Sequence, residues 1–288
     1  MDKIVYYEKG GTGYPERLSW YPDMPKRLYV KGKLPSDRKP SAAIVGARAC
    51  SSYGRQQARR FARELAQAGV QIISGLASGV DAAAHEGALE GNGDTFAVLG
   101  CGVNICYPRE NFSLMCRMLE QNGGVLSEFL PGEPPLAWHF PKRNRVISAL
   151  ADLVLVIEAR KKSGSLITAD FALEQGKSVF ALPGRVSDSL SEGCNSLLAQ
   201  GAGIAVDPGA LLEELGIFRT AGESQRLDIR ITEQEKEIIG LLRQGIGTPD
   251  ELCAASGRKV PEISALLIQL RLKGIIIEEG KNHYALRE

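Results

Sequence analysis

From residue 42 onward, short apolar runs alternate with longer amphipathic ones. The apolar runs are AAIV (42–45), VQIIS (70–74), TFAVLG (95–100), GVLS (124–127), DLVLVIE (152–158), SVFAL (178–182) and GIAV (203–206). Several are continuously apolar, as parallel strands buried on both faces are. Between most of them the period becomes helical. In RQQARRFARELAQA, for example, Ala58, Phe61, Ala62 and Leu65 share one face and the arginines point away. Strands alternating with helices predict right-handed βαβ units, hence an α/β domain over 41–216 with a mostly parallel sheet covered on both sides.

The pattern differs at both ends. Residues 1–40 are rich in Pro, Gly and Tyr (YPERLSWYPDMPKRLYVKG) and read as an irregular lead-in that packs its aromatics on the sheet domain. Residues 217–230 read as a polar linker. Beyond it, ITEQEKEIIGLLRQG, TPDELCAAS and VPEISALLIQLRLKG are helical in period, and IIIEE and HYALR are short strand candidates. Three helices and a β-hairpin over 231–288 predict a winged-helix domain.

Composition narrows the function classes. Of 288 residues, 44% are hydrophobic and 24% charged, and the net charge is only +1, so any anion site has to be local. No apolar run is long enough for a membrane helix and no signal peptide opens the chain, so a cytosolic protein is expected. The six cysteines stand without a CxxC pair or a following zinc-spaced histidine. They read as reduced thiols, and no metal site is expected.

The local chemistry sits in the turns. Ligands of open parallel sheets bind outside the carboxyl ends of the strands, and there this chain repeatedly places glycine. The turns are Gly46, Ala47 and Arg48; Gly75 to Gly79; Gly100 to Gly102; Lys161 and Lys162 with Ser163, Gly164 and Ser165; and Pro183, Gly184 and Arg185. Glycine admits close ligand approach. A turn that opens a helix adds free N–H groups and the positive helix end, most clearly at Ser163, Gly164 and Ser165, with the Thr168 hydroxyl one turn on. Five such turns with cations among them predict an anionic ligand. FPKRNRVISAL (140–150) belongs to the same edge. It reads as a helix starting near Pro141. Lys142, Arg143 and Arg145 at a helix start oppose the macrodipole, which is unfavourable unless something negative sits there.

GxGxxG and GxxxxGK[ST] are both absent, so neither a dinucleotide nor a P-loop nucleotide is signalled, and no cofactor is expected. The stretches VGARACSSYG, SGLASGVDAAAHEGAL, VLGCGVNICYPREN, LSEFLPGEPP, FPKRNRVISALADLVLVIEA, SGSLITADFALEQGKSVFALPG and EGCNSLLAQGA, spread over 44–202, resemble the bacterial DNA-processing protein A (DprA, or Smf) family. The resemblance implies an extended Rossmann-like fold, a homodimer, and binding of single-stranded DNA without sequence preference. It also implies protection of incoming strands, loading of the RecA recombinase in natural transformation, and no catalysis. Strand contacts carried over from the family fall on Gly46, Ala47 and Arg48, on Arg109, and on Phe140, Lys142, Arg143, Asn144 and Arg145. Many members carry a small helical domain before the sheet, for which this chain begins too late.

Nonspecific single-strand binding needs a basic track and stacking faces. The arginines supply the first and Phe140 is the candidate for the second, although a core position suits it equally. Asn144 is read as an alternative bond to a neighbouring turn, and Asn195 as structural. Two other readings compete. Nucleotide phosphoribohydrolases of the lysine-decarboxylase-like type carry PGGxGTxxE; here SGSLITADF matches at Gly164 and Thr168 but has Phe171 where the glutamate belongs. Asp81 and His85, at i and i+4, mimic a catalytic pair, with structural pairing the preferred reading. The third reading is a winged-helix DNA-binding regulator. Against it, Glu262, Glu278 and Glu279 sit where duplex phosphates would approach.

Overall fold

The computed structural model describes residues 3–121, 123–218, 232–243, 245–273, 275–280 and 283–286. The chain divides into two compact units, Met1–Phe218 and Arg219–Glu288. Of the expected linker, residues 219–230 lie outside the described residues.

The first unit runs β1 (Val5–Glu8), α1 (Glu16–Ser19), β2 (Arg27–Gly32), β3 (Ser41–Val45), α2 (Ser52–Gln67), β4 (Gln71–Ser74), α3 (Val80–Glu90), β5 (Thr95–Val98), α4 (Phe112–Glu120), β6 (Gly124–Ser127), α5 (His139–Leu150), β7 (Leu153–Val156), α6 (Gly164–Glu174), β8 (Ser178–Ala181), α7 (Glu192–Ala199), β9 (Gly203–Ile204) and α8 (Pro208–Glu214). Its nine strands form one sheet in the order β1-β2-β6-β5-β4-β3-β7-β8-β9. The seven from β3 to β9 are those the apolar runs predict, and every pairing among them is parallel. Buried side chains on both faces explain the continuous runs. Ala43, Val45, Val154 and Val156 meet one core, and Ala42, Ile44, Leu153 and Leu155 the other. Helix α2 buries the expected face, Ala58, Phe61, Ala62 and Leu65, and is capped by Ser51, whose Oγ accepts from Gly54 N at 2.9 Å.

The lead-in is not irregular, and here the expectation is corrected. Strand β2 pairs antiparallel with β6, and β1 pairs antiparallel with β2. The edge of β6 would otherwise present unpaired backbone groups, and β2 satisfies them while burying Leu28, Tyr29 and Val30. Arg17 fastens the segment: Nη1 donates to Leu150 O and Asp152 Oδ2, both at 3.0 Å, and Nη2 to Lys39 O at 2.9 Å.

Strand order reverses direction at β3, which continues to β4 on one side and pairs with β7 on the other. This is the switch point, where the loops after the two strands diverge and leave a crevice.

The second unit consists of α9 (Glu233–Arg243), α10 (Pro249–Ser256), α11 (Val260–Leu272) and the antiparallel ribbon β10 (Ile276–Gly280) with β11 (His283–Leu286). Ile238, Leu252, Ile263, Leu267 and Leu270 form its core. Helix α10 opens on a reciprocal Thr248–Glu251 capping box and closes at Gly257 in the left-handed conformation. Arg258 pairs with Glu237 at 2.8 Å, Arg271 with Glu278 at 2.9 Å, and Lys273 with Glu235.

Candidate functional site

A cleft of about 570 Å³ opens at the switch point. The β3 turn contributes Gly46 and Arg48, the β4 turn with the start of α3 Ala77 and Asp81, and the loop after β5 Tyr107. The start of α5 contributes Phe140, Arg143 and Asn144, and the start of α6 contributes Ser163, Gly164, Ser165 and Thr168. Segments from five parts of the chain therefore converge, as ligand crevices of this sheet type require.

Arg48 is exposed and carries no ion pair among the described residues. Its guanidinium carbon lies 4.9 Å from the centre of the Phe140 ring. Phe140 is half-buried, 5.6 Å from the Tyr107 ring. Its position depends on Gly100, where a Cβ would stand 2.9 Å from the ring. Phe140 is thus a cleft wall with an accessible side. On the far side α6 begins: the Ser163 hydroxyl accepts from Ser165 N at 3.4 Å and lies 2.7 Å from the Ser165 hydroxyl, while Gly164 is exposed. The helix start therefore brings the exposed Gly164 and the mutually paired Ser163 and Ser165 hydroxyls to the cleft lining, at the positive end of α6.

The turn glycines act mainly between turns. A Cβ on Gly79, whose φ is +81°, would run into the carbonyls of Ala47 and Arg48, so Gly79 lets the β3 and β4 turns touch and sets the Arg48 backbone. Val80 N donates to Ala47 O at 3.2 Å and Ala47 N to Glu158 O at 2.7 Å, fixing Ala47. Gly46 is confined by Val80 and Glu158 O. Gly75 is buried beneath a guanidinium, described next.

The cation cluster of 142–145 disperses, which corrects the expected common cradle. Arg143 is buried on the cleft floor. Its Nη1 donates to Gly75 O at 2.8 Å and to Val98 O, and its Nε to Asn144 Oδ1 at 3.1 Å. Burial pulls its pKa down to about 10, against the attraction of Asp81. Arg145 is buried on another side of α5, pairing with Glu128 at 2.8 Å, with Asp23 at 3.9 Å. Lys142 is half exposed and pairs with the same Glu128 at 2.9 Å. The negative partner that the helix start demanded is thus internal: Glu128 for two cations and strand-end carbonyls for the third. Asn144 donates from Nδ2 to Gly164 O at 3.1 Å, bonding the neighbouring turn.

Two other expected members lie outside the cleft. Arg109 is exposed in a short 3₁₀ turn and lines an adjacent groove with Asn104, Ile105, Cys106 and Phe112. Gly184 lines a separate cavity of about 720 Å³ with Tyr53, Glu158 and Arg185. Its N–H and carbonyl are both bonded by the side chain of Asn195, at 3.2 and 3.1 Å, which gives Asn195 a structural role.

The catalytic-looking pair comes apart. Asp81 is buried and accepts from Gly75 N at 3.1 Å; burial raises its pKa, opposed by Arg143. His85 contacts Thr95 Oγ1 at 2.7 Å through Nδ1 instead, and burial pushes its pKa down to about 3. Phe171 and the exposed Asp170 give α6 no carboxylate in the cleft lining. All six cysteines are free thiols. No group of His, Cys, Asp or Glu among the described residues is placed to hold a metal, and no helix among them is long and apolar enough to cross a membrane.

The site residues that sequence reasoning missed are Tyr107 and Asp81 as cleft lining and Glu128 as the internal counter-charge. Tyr107 carried a signal, as the neighbour of the YP-flanking Arg109; Glu128 carried none, because its partners lie on another element.

Comparison with known proteins places these features. The sequence pattern of the family described as DNA recombination-mediator protein A matches residues 5–216. Protein Smf of Escherichia coli strain K12 is 40% identical over 281 residues, covering 95% of this chain and 75% of that protein. DNA processing protein DprA of Streptococcus pneumoniae is 44% identical over 201 residues, covering 70% and 71%. Its X-ray structure aligns with a TM-score of 0.69 at 41% identity over 74% of each chain. DNA processing protein A from Helicobacter pylori, solved for its single-stranded DNA binding mode, aligns with a TM-score of 0.65 at 32% identity, over 75% of this chain and 98% of that one.

Proposed function

The chain belongs to the DNA recombination-mediator protein A family, and from that premise we propose that its switch-point cleft binds single-stranded DNA without sequence preference. The observation that carries this reading is Arg48 lying over Phe140 at the cleft mouth. One cation without an ion pair among the described residues and one aromatic wall, opposite the positive end of α6, supply the two things a sequence-tolerant strand site needs: phosphate neutralisation and a stacking face. Gly46, Ala47, Gly79, Ser163, Gly164, Ser165 and Thr168 shape this site or donate to it. Gly75, Arg143 and Asn144 hold its floor, and Arg109 extends the cationic margin. Lys142 and Arg145 support α5 through Glu128.

The role proposed with it is protection of incoming strands and delivery to the RecA recombinase in natural transformation, in the cytosol, by binding rather than catalysis. A homodimer is part of the proposal. Strand β9 ends the sheet, and its Ile204 and the following Val206 are open to solvent, an edge suited to a second copy. The second unit is proposed as a winged helix that contacts protein rather than duplex DNA, since Arg258, Arg271 and Lys273 are each paired with a carboxylate.

The test is titration of a labelled oligothymidine with wild type and Arg48→Ala at two salt concentrations. Arg48→Ala is expected to bind more weakly and to flatten the salt slope by roughly 0.7, the share of one phosphate contact. Equal affinities for the two proteins remove Arg48 from the site. Release of adenine from AMP would favour the hydrolase reading instead.

A further inference from the structure

Trp138 is 59% exposed, although it caps a helix in a well-packed unit. Exposed tryptophan leaves a large apolar face in water, and here the side chain is held from behind. The His139 ring meets it near-perpendicularly, 78° at 4.1 Å, and the Phe129 ring at 81° and 6.1 Å. Phe129 and His139 are themselves stacked at 3.7 Å and buried. Leu130 and Leu136 are also exposed on this loop.

The patch continues the cleft. Pro135 and Ala137, immediately before Trp138, belong to the cleft lining, as does Phe140 after it. Two residues along a helix turn through about 200°, so Phe140 and Trp138 leave the start of α5 in nearly opposite directions. Phe140 faces Tyr107 and Arg48, while Trp138 faces Phe129 and Lys142, whose ammonium is 5.9 Å from the Trp138 ring. A chain leaving the cleft across Pro135 and Ala137 meets Trp138 next.

The charges around it nearly cancel. Lys142 and Arg145 share Glu128, Asp23 lies near Arg145, and Glu133 approaches His139. The patch is therefore suited to a base, whose face is uncharged, rather than to a phosphate.

We infer that Trp138 is a second stacking platform, taking a nucleobase of the same strand after it has left the cleft. The inference rests on the single-strand reading of the cleft. Stacking of a base on an aromatic side chain is insensitive to salt, whereas phosphate contacts are not. The two contributions therefore separate experimentally.

The chain has two tryptophans, so Trp20→Phe leaves Trp138 as the sole indole reporter. Titration of full-length Trp20→Phe with an oligothymidine of about 16 nucleotides is expected to quench Trp138 emission. Trp138→Ala is expected to weaken binding by roughly 5-fold to 100-fold, by the same factor at low and high salt and with an unchanged salt slope. Trp138→Phe should retain most of the affinity, which separates stacking from damage to the fold. Unchanged emission on binding, or Trp138→Ala affinity equal to wild type, overturns the platform while leaving the cleft reading intact; the patch is then a protein-contact face. Failure of the wild type to bind oligothymidine overturns both.

Discussion

Arg143 and Gly75 are a fitted pair: the guanidinium donates to the Gly75 carbonyl at 2.8 Å, and a Cβ on Gly75 would land inside that guanidinium. A residue 68 positions along the chain thereby ties the end of β4 to α5, and its second bond, to Val98 O, ties in β5. Gly75→Ala should force the buried guanidinium off both carbonyls. The expected cost is about 1–3 kcal/mol, the usual range for overpacking, read as a lower denaturant midpoint with an unchanged slope. Stability equal to wild type would show that the floor of the cleft can yield.

The cations of α5 should divide by effect. Arg145→Ala leaves Glu128 with Lys142 alone and should lower stability by about 1–3 kcal/mol. Lys142→Ala, at a half-exposed pair, should cost no more than about 1 kcal/mol. Neither should change the salt slope of oligothymidine binding as Arg48→Ala does. A flattened slope in Arg145→Ala would return Arg145 to the strand path.

His85 should make acid sensitivity begin early. Its pKa is pushed down to about 3 by burial, from 6.5 in the unfolded chain. Between those values the unfolded state binds the extra proton, so stability is complete above pH 6.5 and is lost as pH falls toward 3, by a few kcal/mol at full titration. Asp81 acts with the opposite sign, because its pKa is raised by burial and protonation favours its folded form. The two are separated by comparing wild type with His85→Gln. Wild type should lose stability relative to His85→Gln as pH falls below about 6.5, and a constant difference would contradict the assignment.

Removal of residues after 226 should leave oligothymidine affinity within about 2-fold of wild type, because every residue lining the cleft belongs to the first unit. Lost binding would support a regulator that holds nucleic acid through its C-terminal unit.

The strands and their common ligand edge were readable from residue order, because hydrophobic period and turn chemistry are local. VQIIS and DLVLVIE are buried on both faces wherever their neighbours lie, and glycine turns follow strands whichever loop they later touch. The family was legible for the same reason, as a series of short contiguous motifs. β2 escaped notice because it exists to cover the edge of β6, which comes nearly a hundred residues later. The roles within FPKRNR could not be read locally either. Lys142, Arg143 and Arg145 span most of a helical turn, so Arg143 leaves α5 on a different side from Lys142 and Arg145, and Gly75, Val98 and Glu128 decide what each one meets. Only the tertiary structure brings those partners in, and it sets Arg48, from another loop and without an ion pair among the described residues, over Phe140 at the cleft.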